Sequence, residues 1–238
     1  MTLLIKILIM FMITQNIYGQ NKALHYIGIS GGCSVPFGSF SKSEYKNNNS
    51  GYAGTGYQIG LDGAYYFNKR IGIGGLFSYN NFSVADASIK NLGEGYVEDF
   101  GVDDATVTIK NSNVVMNYFV GPYFSIPLNK ITFDFRALAG LSTLTTPEIK
   151  VVLEDGDPFY QRSATGAALG FALGAGARLH LYKSLGMALR VDYNYSDQRV
   201  YVNNENRLNN AGRYIDNYHA AVPFLNASVG LIYQFGDK

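Results

Sequence analysis

The histidines are the first residues to test for chemistry, because an imidazole can act as a general base or bind a metal ion. They are His25, His180 and His219, and no metal-ligand spacing links them. No His-x-Ser pair, which a lipid-acting barrel enzyme is expected to carry, occurs in the sequence. Asp216 and His219 form the one weak match to a protease-like acid and histidine cluster. The sequence therefore predicts no catalytic, metal or cofactor site.

Six charged residues lie in segments that otherwise alternate apolar residues with small or polar ones. If these segments are strands whose apolar face meets lipid, the charges point inward, where charges persist only when paired. Three acids and three bases predict a charge-balanced network that fills a barrel lumen near its short turns, with an ion or proton path as the alternative. The six residues are Asp62, Asp134, Arg136, Arg178, Arg190 and Asp192.

Acidic residues also collect in two polar segments, and they lack the spacing of a calcium-binding loop. We interpret them as a solvated loop surface accompanied by cations, with weak binding of divalent ions as the alternative. These residues are Glu94, Glu98, Asp99, Asp103, Asp104, Glu154, Asp155 and Asp157.

The elements that position these residues are predicted to be strands, because one segment after another alternates with a period of two. Tyr57, Ile59 and Leu61 share one face of their segment, whereas Gln58 and Gly60 share the other. The segments predicted to be strands are 27–35, 57–67, 71–80, 114–125, 131–141, 169–181, 187–195 and 225–235.

The connections alternate in length. Short turns follow the second, fourth and sixth strands, and long polar segments follow the first, third, fifth and seventh, at 37–52, 84–112, 145–163 and 197–221. Short turns on one rim and long loops on the other are typical of bacterial outer-membrane barrels. The predicted fold is all-β: an eight-stranded antiparallel up-and-down transmembrane β-barrel with short periplasmic turns and four long extracellular loops.

Residues 1–19 have the pattern of a secretory signal peptide. Lys6 supplies the positive charge, and the apolar residues 7–13 are too few for a spanning helix of roughly 20 residues. Cleavage after Gly19 would leave 20–238 as a single outer-membrane barrel domain. Cys33, the only cysteine, lies too far downstream to carry a lipid anchor.

Composition agrees with a membrane surface. Charged residues make up 16% of the 238, against roughly 25% in ordinary soluble domains. Because 19 basic residues stand against 18 acidic ones, no nucleic-acid partner is expected. The expected partners are outer-membrane lipids and an unknown protein or surface ligand that contacts the extracellular loops.

Two other folds compete with this interpretation. Residues 164–181 carry glycines four apart, as transmembrane helices do, but Arg178 and His180 would then lie in lipid. A soluble, lipocalin-like barrel with an apolar ligand is the second alternative. It would expose the charged strand face to water beside wide bands of tyrosine and phenylalanine.

A family resemblance rests on residues 116–123, which read MNYFVGPY, and on an aromatic-ended last strand that closes at Phe235. In these features the chain resembles the outer-membrane β-barrel family of Bacteroidota, the PorT-like group, and more distantly the small barrels of the OmpA and OmpX kind. The resemblance covers essentially the whole mature chain. It implies a membrane location and, as in some members, a part in protein secretion or surface adhesion, and it transfers no catalytic residue.

The sequence therefore favours a non-enzymatic outer-membrane barrel with a side-chain-filled lumen and a structural, adhesion or secretion-accessory role through its surface loops. An outer-membrane enzyme acting on lipid or peptide is one alternative. The soluble ligand-binding barrel is the other.

The signal peptide gives a direct test. When the full gene is expressed in a Gram-negative host, N-terminal sequencing should find Gln20 as the first residue, in the outer-membrane fraction. An unprocessed N-terminus, or recovery in the soluble periplasm, would contradict this prediction.

Overall fold

A computed structural model describes residues 25–46, 50–154, 156, 158–206 and 212–236. The predicted signal peptide and its cleavage site lie outside the described residues. In chain order the elements are β1 (His25–Pro36), a 3-10 turn (Gly38–Ser41), β2 (Ala53–Tyr66), β3 (Ile71–Val84), α1 (Asp86–Phe100), β4 (Ala105–Lys110), β5 (Asn113–Leu128), β6 (Ile131–Thr145), β7 (Glu148–Leu153), β8 (Phe159–Gln161), β9 (Thr165–Tyr182), β10 (Leu185–Asn206), β11 (Gly212–Ala221) and β12 (Phe224–Phe235).

Eight of these strands close into an antiparallel ring in the order β1-β2-β3-β5-β6-β9-β10-β12. The ring closes where β12 pairs with β1, from His25 opposite Phe235 to Pro36 opposite Phe224. Each connection within the ring joins neighbouring strands, so the topology is up-and-down. The predicted all-β, eight-stranded barrel is confirmed.

Strand parity separates two faces. Ile59 and Leu61 are about half exposed on the outside of β2, whereas Asp62, the next residue along, is buried inside. The same alternation continues through β9, where Leu173 points outward and Ala172 inward. The helical alternative for 164–181 is therefore wrong, because most of this segment is β9. In the part of the chain that the structure describes, no helix is long and apolar enough to cross a membrane.

Tight turns connect the strands at the periplasmic rim. Asn129 and Lys183 each begin a two-residue turn in the left-handed backbone region, with φ of 54° and 50°. Such turns match the twist of the strands they join. In the first turn, the Asn68 side chain accepts hydrogen bonds from the backbone N–H groups of Arg70 and Ile71, both at 2.8 Å.

The long connections at the other rim contain regular structure. β10 continues beyond the ring to Asn206, and β11, β8, β7 and β4 extend it into a second sheet in the order β11-β10-β8-β7-β4. Helix α1 packs against β4 and β7 around Leu92, Ile149 and Val151. Tyr45 lies so close to α1 that a Cβ on Gly95 would fall 2.2 Å from its ring. These elements form an extracellular cap with its own small core.

Candidate functional site: the barrel lumen and the extracellular vestibule

The six charged residues predicted to face inward all lie in the lumen. They are on β2, β6, β9 and β10, and each is at most 8% exposed. Strand parity alone fixes their direction, because each stands between two lipid-facing neighbours. The residues are Asp62, Asp134, Arg136, Arg178, Arg190 and Asp192.

Four of the charges form one cluster around Arg136. Its Nε and Nη2 donate to the two carboxylate oxygens of Asp192 at 2.8 and 2.7 Å, a bidentate pair. Its Nη1 lies 3.4 Å from Asp62 Oδ2. Arg190 Nη1 donates to the other oxygen of Asp62 at 2.8 Å, and the Tyr26 hydroxyl donates to Oδ2 at 2.8 Å. The cluster holds two acids and two bases.

The other two charges form a separate pair nearer the periplasmic rim. Arg178 donates to both carboxylate oxygens of Asp134, with Nη2 to Oδ1 at 2.9 Å. Ser125 donates to the same Oδ1 at 2.6 Å, and Arg178 Nη2 also donates to the Tyr66 hydroxyl at 3.1 Å. The Tyr26 ring lies between the two groups, with the guanidinium carbons of Arg178 and Arg190 at 4.4 and 5.3 Å from its centroid. Each group is neutral by itself.

Gly174 on β9 leaves the space that the cluster of four charges occupies. A Cβ on Gly174 would lie 1.9 Å from Asp192 Oδ1 and 2.9 Å from Arg136 Nε. Any side chain at this position would therefore displace the Arg136–Asp192 pair. The inward-facing glycines of β9 leave space that long side chains from neighbouring strands occupy.

A belt of neutral polar side chains lies above the charges. Ser34 donates to Asn226 Oδ1 at 2.7 Å, Asn226 Nδ2 donates to Asn80 Oδ1 at 2.9 Å, and Asn80 Nδ2 donates to the Val115 carbonyl at 3.1 Å. This chain of contacts links β1, β12, β3 and β5 across the interior. The side-chain amide oxygens of Gln58 and Asn194 are buried here without a hydrogen-bond partner among the described residues.

An apolar seal closes the extracellular end of the lumen. The 3-10 turn after β1 places Phe40, 2% exposed, in the mouth of the barrel. Its ring meets Phe82 edge to face at 5.1 Å, and Phe82 meets Phe224 at 5.2 Å. Aliphatic residues complete the layer, which also contains Val115, Leu144, Val200, Val202 and Val222. The sequence does not predict this seal, because Phe40 lies within a polar connection.

A cavity of about 670 Å³, the vestibule, lies between the seal and the extracellular cap. Phe40 and Leu144 line its floor, and residues from α1, β7, β8 and β10 line its walls. Tyr52, in its wall, has φ of 52°, a strained conformation for a bulky residue. Burial raises the pKa of the Tyr52 hydroxyl to about 12.

The three histidines lie apart from one another. His25 stacks on Tyr65 at 4.2 Å at the periplasmic end, and His180 Nδ1 lies 2.9 Å from Gln234 Oε1 in the periplasmic mouth. His219 is on the exposed surface of β11, where Nε2 lies 3.2 Å from Arg199 Nη2. The side chain of Asp216, and Asp155 and Asp157 altogether, lie outside what the structure describes.

Two of the predicted loop acids have lysine partners. Glu98 accepts from Lys46 at 3.0 Å, and Glu94 lies 3.6 Å from Lys90 one helical turn away. In the described ranges no three His, Cys, Asp or Glu side chains are grouped so that they could hold a metal ion.

A closed ring with a lipid-facing apolar exterior and a filled interior defines an outer-membrane β-barrel protein. Residues 8–235 match the family described as outer membrane protein beta-barrel domain, and the chain belongs to that family. Membership indicates a location in the outer membrane. The chain matches no curated protein.

The chain is similar to several solved structures. The attachment invasion locus protein Ail of Yersinia pestis is 16% identical with a TM-score of 0.42, and the match covers 91% of this chain and 100% of that one. OprG of Pseudomonas aeruginosa is 14% identical with a TM-score of 0.48, covering 90% and 97%. Neisserial surface protein A is 8% identical with a TM-score of 0.47, covering 91% and 100%.

Replacing Arg136 tests whether the charges stabilise the barrel. Arg136→Ala leaves the Asp192 carboxylate buried without the partner that holds both its oxygens, so the free energy of unfolding should fall by about 3 kcal/mol. The measurement is urea unfolding in phospholipid vesicles. Arg199→Ala, which removes an exposed arginine, should change it by less than about 0.5 kcal/mol.

A double variant separates loss of charge pairing from loss of packing. Arg136→Met with Asp192→Asn removes both members of the pair, so it should recover part of the stability that Arg136→Ala loses. An unchanged unfolding midpoint in Arg136→Ala would contradict a stabilising role for the network.

Proposed function

We propose that this chain is a non-enzymatic outer-membrane protein that binds a ligand or partner at the cell surface through its extracellular cap. The vestibule is the observation that carries the proposal, because it is a partly open cavity in folded loops above a sealed lumen. Irregular loops would have to become ordered when a ligand binds. Here the second sheet and α1 already hold the loops, which lowers the entropic cost of binding.

The filled lumen supports binding rather than transport. The Arg178–Asp134 pair, the cluster of four charges, the polar belt and the apolar seal follow one another along the interior of the ring. An eight-stranded barrel has an interior just wide enough for its side chains. A surface ligand would therefore be held at the extracellular end.

The surroundings of His219 support the non-enzymatic assignment. Its ring faces Asp197 Oδ1 at 3.6 Å and the Arg199 guanidinium, and its side chain is 59% exposed. Neither neighbour is a nucleophile that the histidine could activate. We therefore interpret His219 as an ordinary exposed surface residue.

The proposal includes finer assignments. Residues 20–238 form one barrel domain exported through the signal peptide 1–19, and the chain belongs with the PorT-like barrels of Bacteroidota. Residues 116–123, on which the resemblance rests, lie entirely in β5 and contribute Phe119 and Tyr123 to the lumen core. As in some members of that group, this membership implies a part in protein secretion or in surface adhesion.

A loop replacement tests the function. Replacing 86–110 by a short Gly-Ser linker removes α1 and β4 but keeps β3 and β5, so the barrel should still form. Cells that display the wild type should adhere to at least one of a set of surfaces: host-cell monolayers, matrix-coated wells, or a lawn of the same cells. Cells with the replaced loop should lose this adhesion.

The control changes the opposite rim. Lys69→Ser with Arg70→Ser alters a periplasmic turn and should leave adhesion intact. Heat-dependent gel mobility reports whether each barrel has folded. Equal adhesion by wild-type and loop-replaced cells on every surface would overturn the proposal.

A further inference from the structure

The vestibule has the volume of a small-molecule site, and its floor is closed. Its volume of about 670 Å³ lies within the roughly 300–1,000 Å³ that such sites occupy. Phe40 and Leu144 belong both to its floor and to the apolar seal beneath. An occupant must therefore enter from outside and remain at the extracellular end.

Aromatic rings line the walls. Tyr45 meets Tyr96 edge to face at 5.0 Å, and Tyr96 lies 5.9 Å from Phe159, so three elements contribute to one aromatic surface. Tyr52 adds a fourth ring, held in its strained conformation by its N–H, which donates to the Lys42 carbonyl at 2.9 Å. Strain of this kind is concentrated at ligand sites. Flat aromatic faces favour ligands that present a flat face of C–H groups.

Two unused amides face the same cavity. Gln161 on β8 and Asn204 on β10 are directly paired across the sheet, and both line the vestibule. Within the described ranges neither side chain makes a hydrogen bond. Each amide offers donors and an acceptor, the combination that hydroxyl groups require. A purely apolar ligand would leave both amides without partners.

The charged side chains that line the vestibule interact with neighbouring residues of the cap. Lys46 pairs with Glu98 at 3.0 Å, and Asp99 lies near the Tyr45 hydroxyl, whose pKa it helps burial to raise. Among the described residues these are the two charged side chains in the lining, and the one cation, Lys46, already has a carboxylate partner. The site favours a neutral ligand.

We propose that the vestibule binds a neutral oligosaccharide, whose pyranose rings stack on the aromatic walls while their hydroxyls bond to Gln161 and Asn204. This inference rests on the proposed surface function, because it places the ligand site in the extracellular cap. It adds the chemical class of the ligand.

The test uses the full mature chain in phosphatidylcholine nanodiscs, which carry no sugar headgroups. The neutral probes are maltotriose, cellotriose and N,N′-diacetylchitobiose, the anionic probe is sucrose octasulfate, and the apolar probe is dodecanol. Saturation-transfer NMR and titration calorimetry measure binding. At least one neutral sugar should bind saturably, and it should bind more tightly than the anionic and apolar probes.

Point variants locate the site. Gln161→Ala and Asn204→Ala should each weaken the sugar by up to about tenfold, because a lost hydrogen bond of typical strength corresponds to that factor at most. Asn203→Ala is the matched control, since Asn203 neighbours Asn204 on the opposite face of β10 and is exposed. It should leave affinity unchanged.

Failure of this inference is distinct from failure of the surface function. Absence of saturable binding by every neutral sugar, tighter binding of sucrose octasulfate or dodecanol, or undiminished affinity in both amide variants would overturn it. If cells still adhere through the cap in that case, the surface function stands. If a neutral sugar binds at the vestibule while cells adhere to nothing, the sugar site stands and the adhesion role fails.

Discussion

Hydrogen bonding of the backbone is the constraint on which the rest of this structure depends. In hydrocarbon each unpaired N–H or carbonyl costs several kcal/mol, so a sheet can cross a membrane only if it has no edge. The pairing of β12 with β1 removes that edge. A closed ring also forces strict alternation, because every residue must point either to lipid or to the interior.

The interior chemistry follows from that alternation. Charges that parity directs inward must find partners, since an unpaired buried charge is far more costly than a paired one. Arg136 and Arg178 each hold one aspartate with two hydrogen bonds, and Gly174 leaves the space in which the Arg136–Asp192 pair fits. The pairing of the charges, the position of Gly174 and the size of the ring therefore depend on one another. The paired side chains fill the periplasmic half of the lumen.

The features that the sequence could predict are those that depend on the pattern of residues within a single segment. A period of two is visible within each segment, so it located all eight ring strands and directed Asp62 and Arg190 inward. It could not show that the charges divide into a cluster of four and a separate pair. That division depends on which strands are neighbours across the ring and on the reach of each guanidinium, and these are relations between distant parts of the chain.

The extracellular end was less predictable for the same reason. β4 and β8 are short. The pairing of β4 with β7 and of β8 with β10 joins residues far apart in sequence. Phe40 looks like one aromatic residue in a polar connection until the 3-10 turn places it against Phe82. The vestibule exists only because these non-local contacts form, so no motif in the sequence indicates it.

We infer that the lumen is sealed and propose that the protein acts at its outer surface. Planar-bilayer recording tests this most directly, because it measures ion flow through the folded barrel itself. The wild-type protein, inserted and folded, should give no steady conductance above that of the bare bilayer. A large, steady conductance from the wild-type barrel would show that the lumen is not sealed, because it requires an open path past the buried charges and the apolar seal.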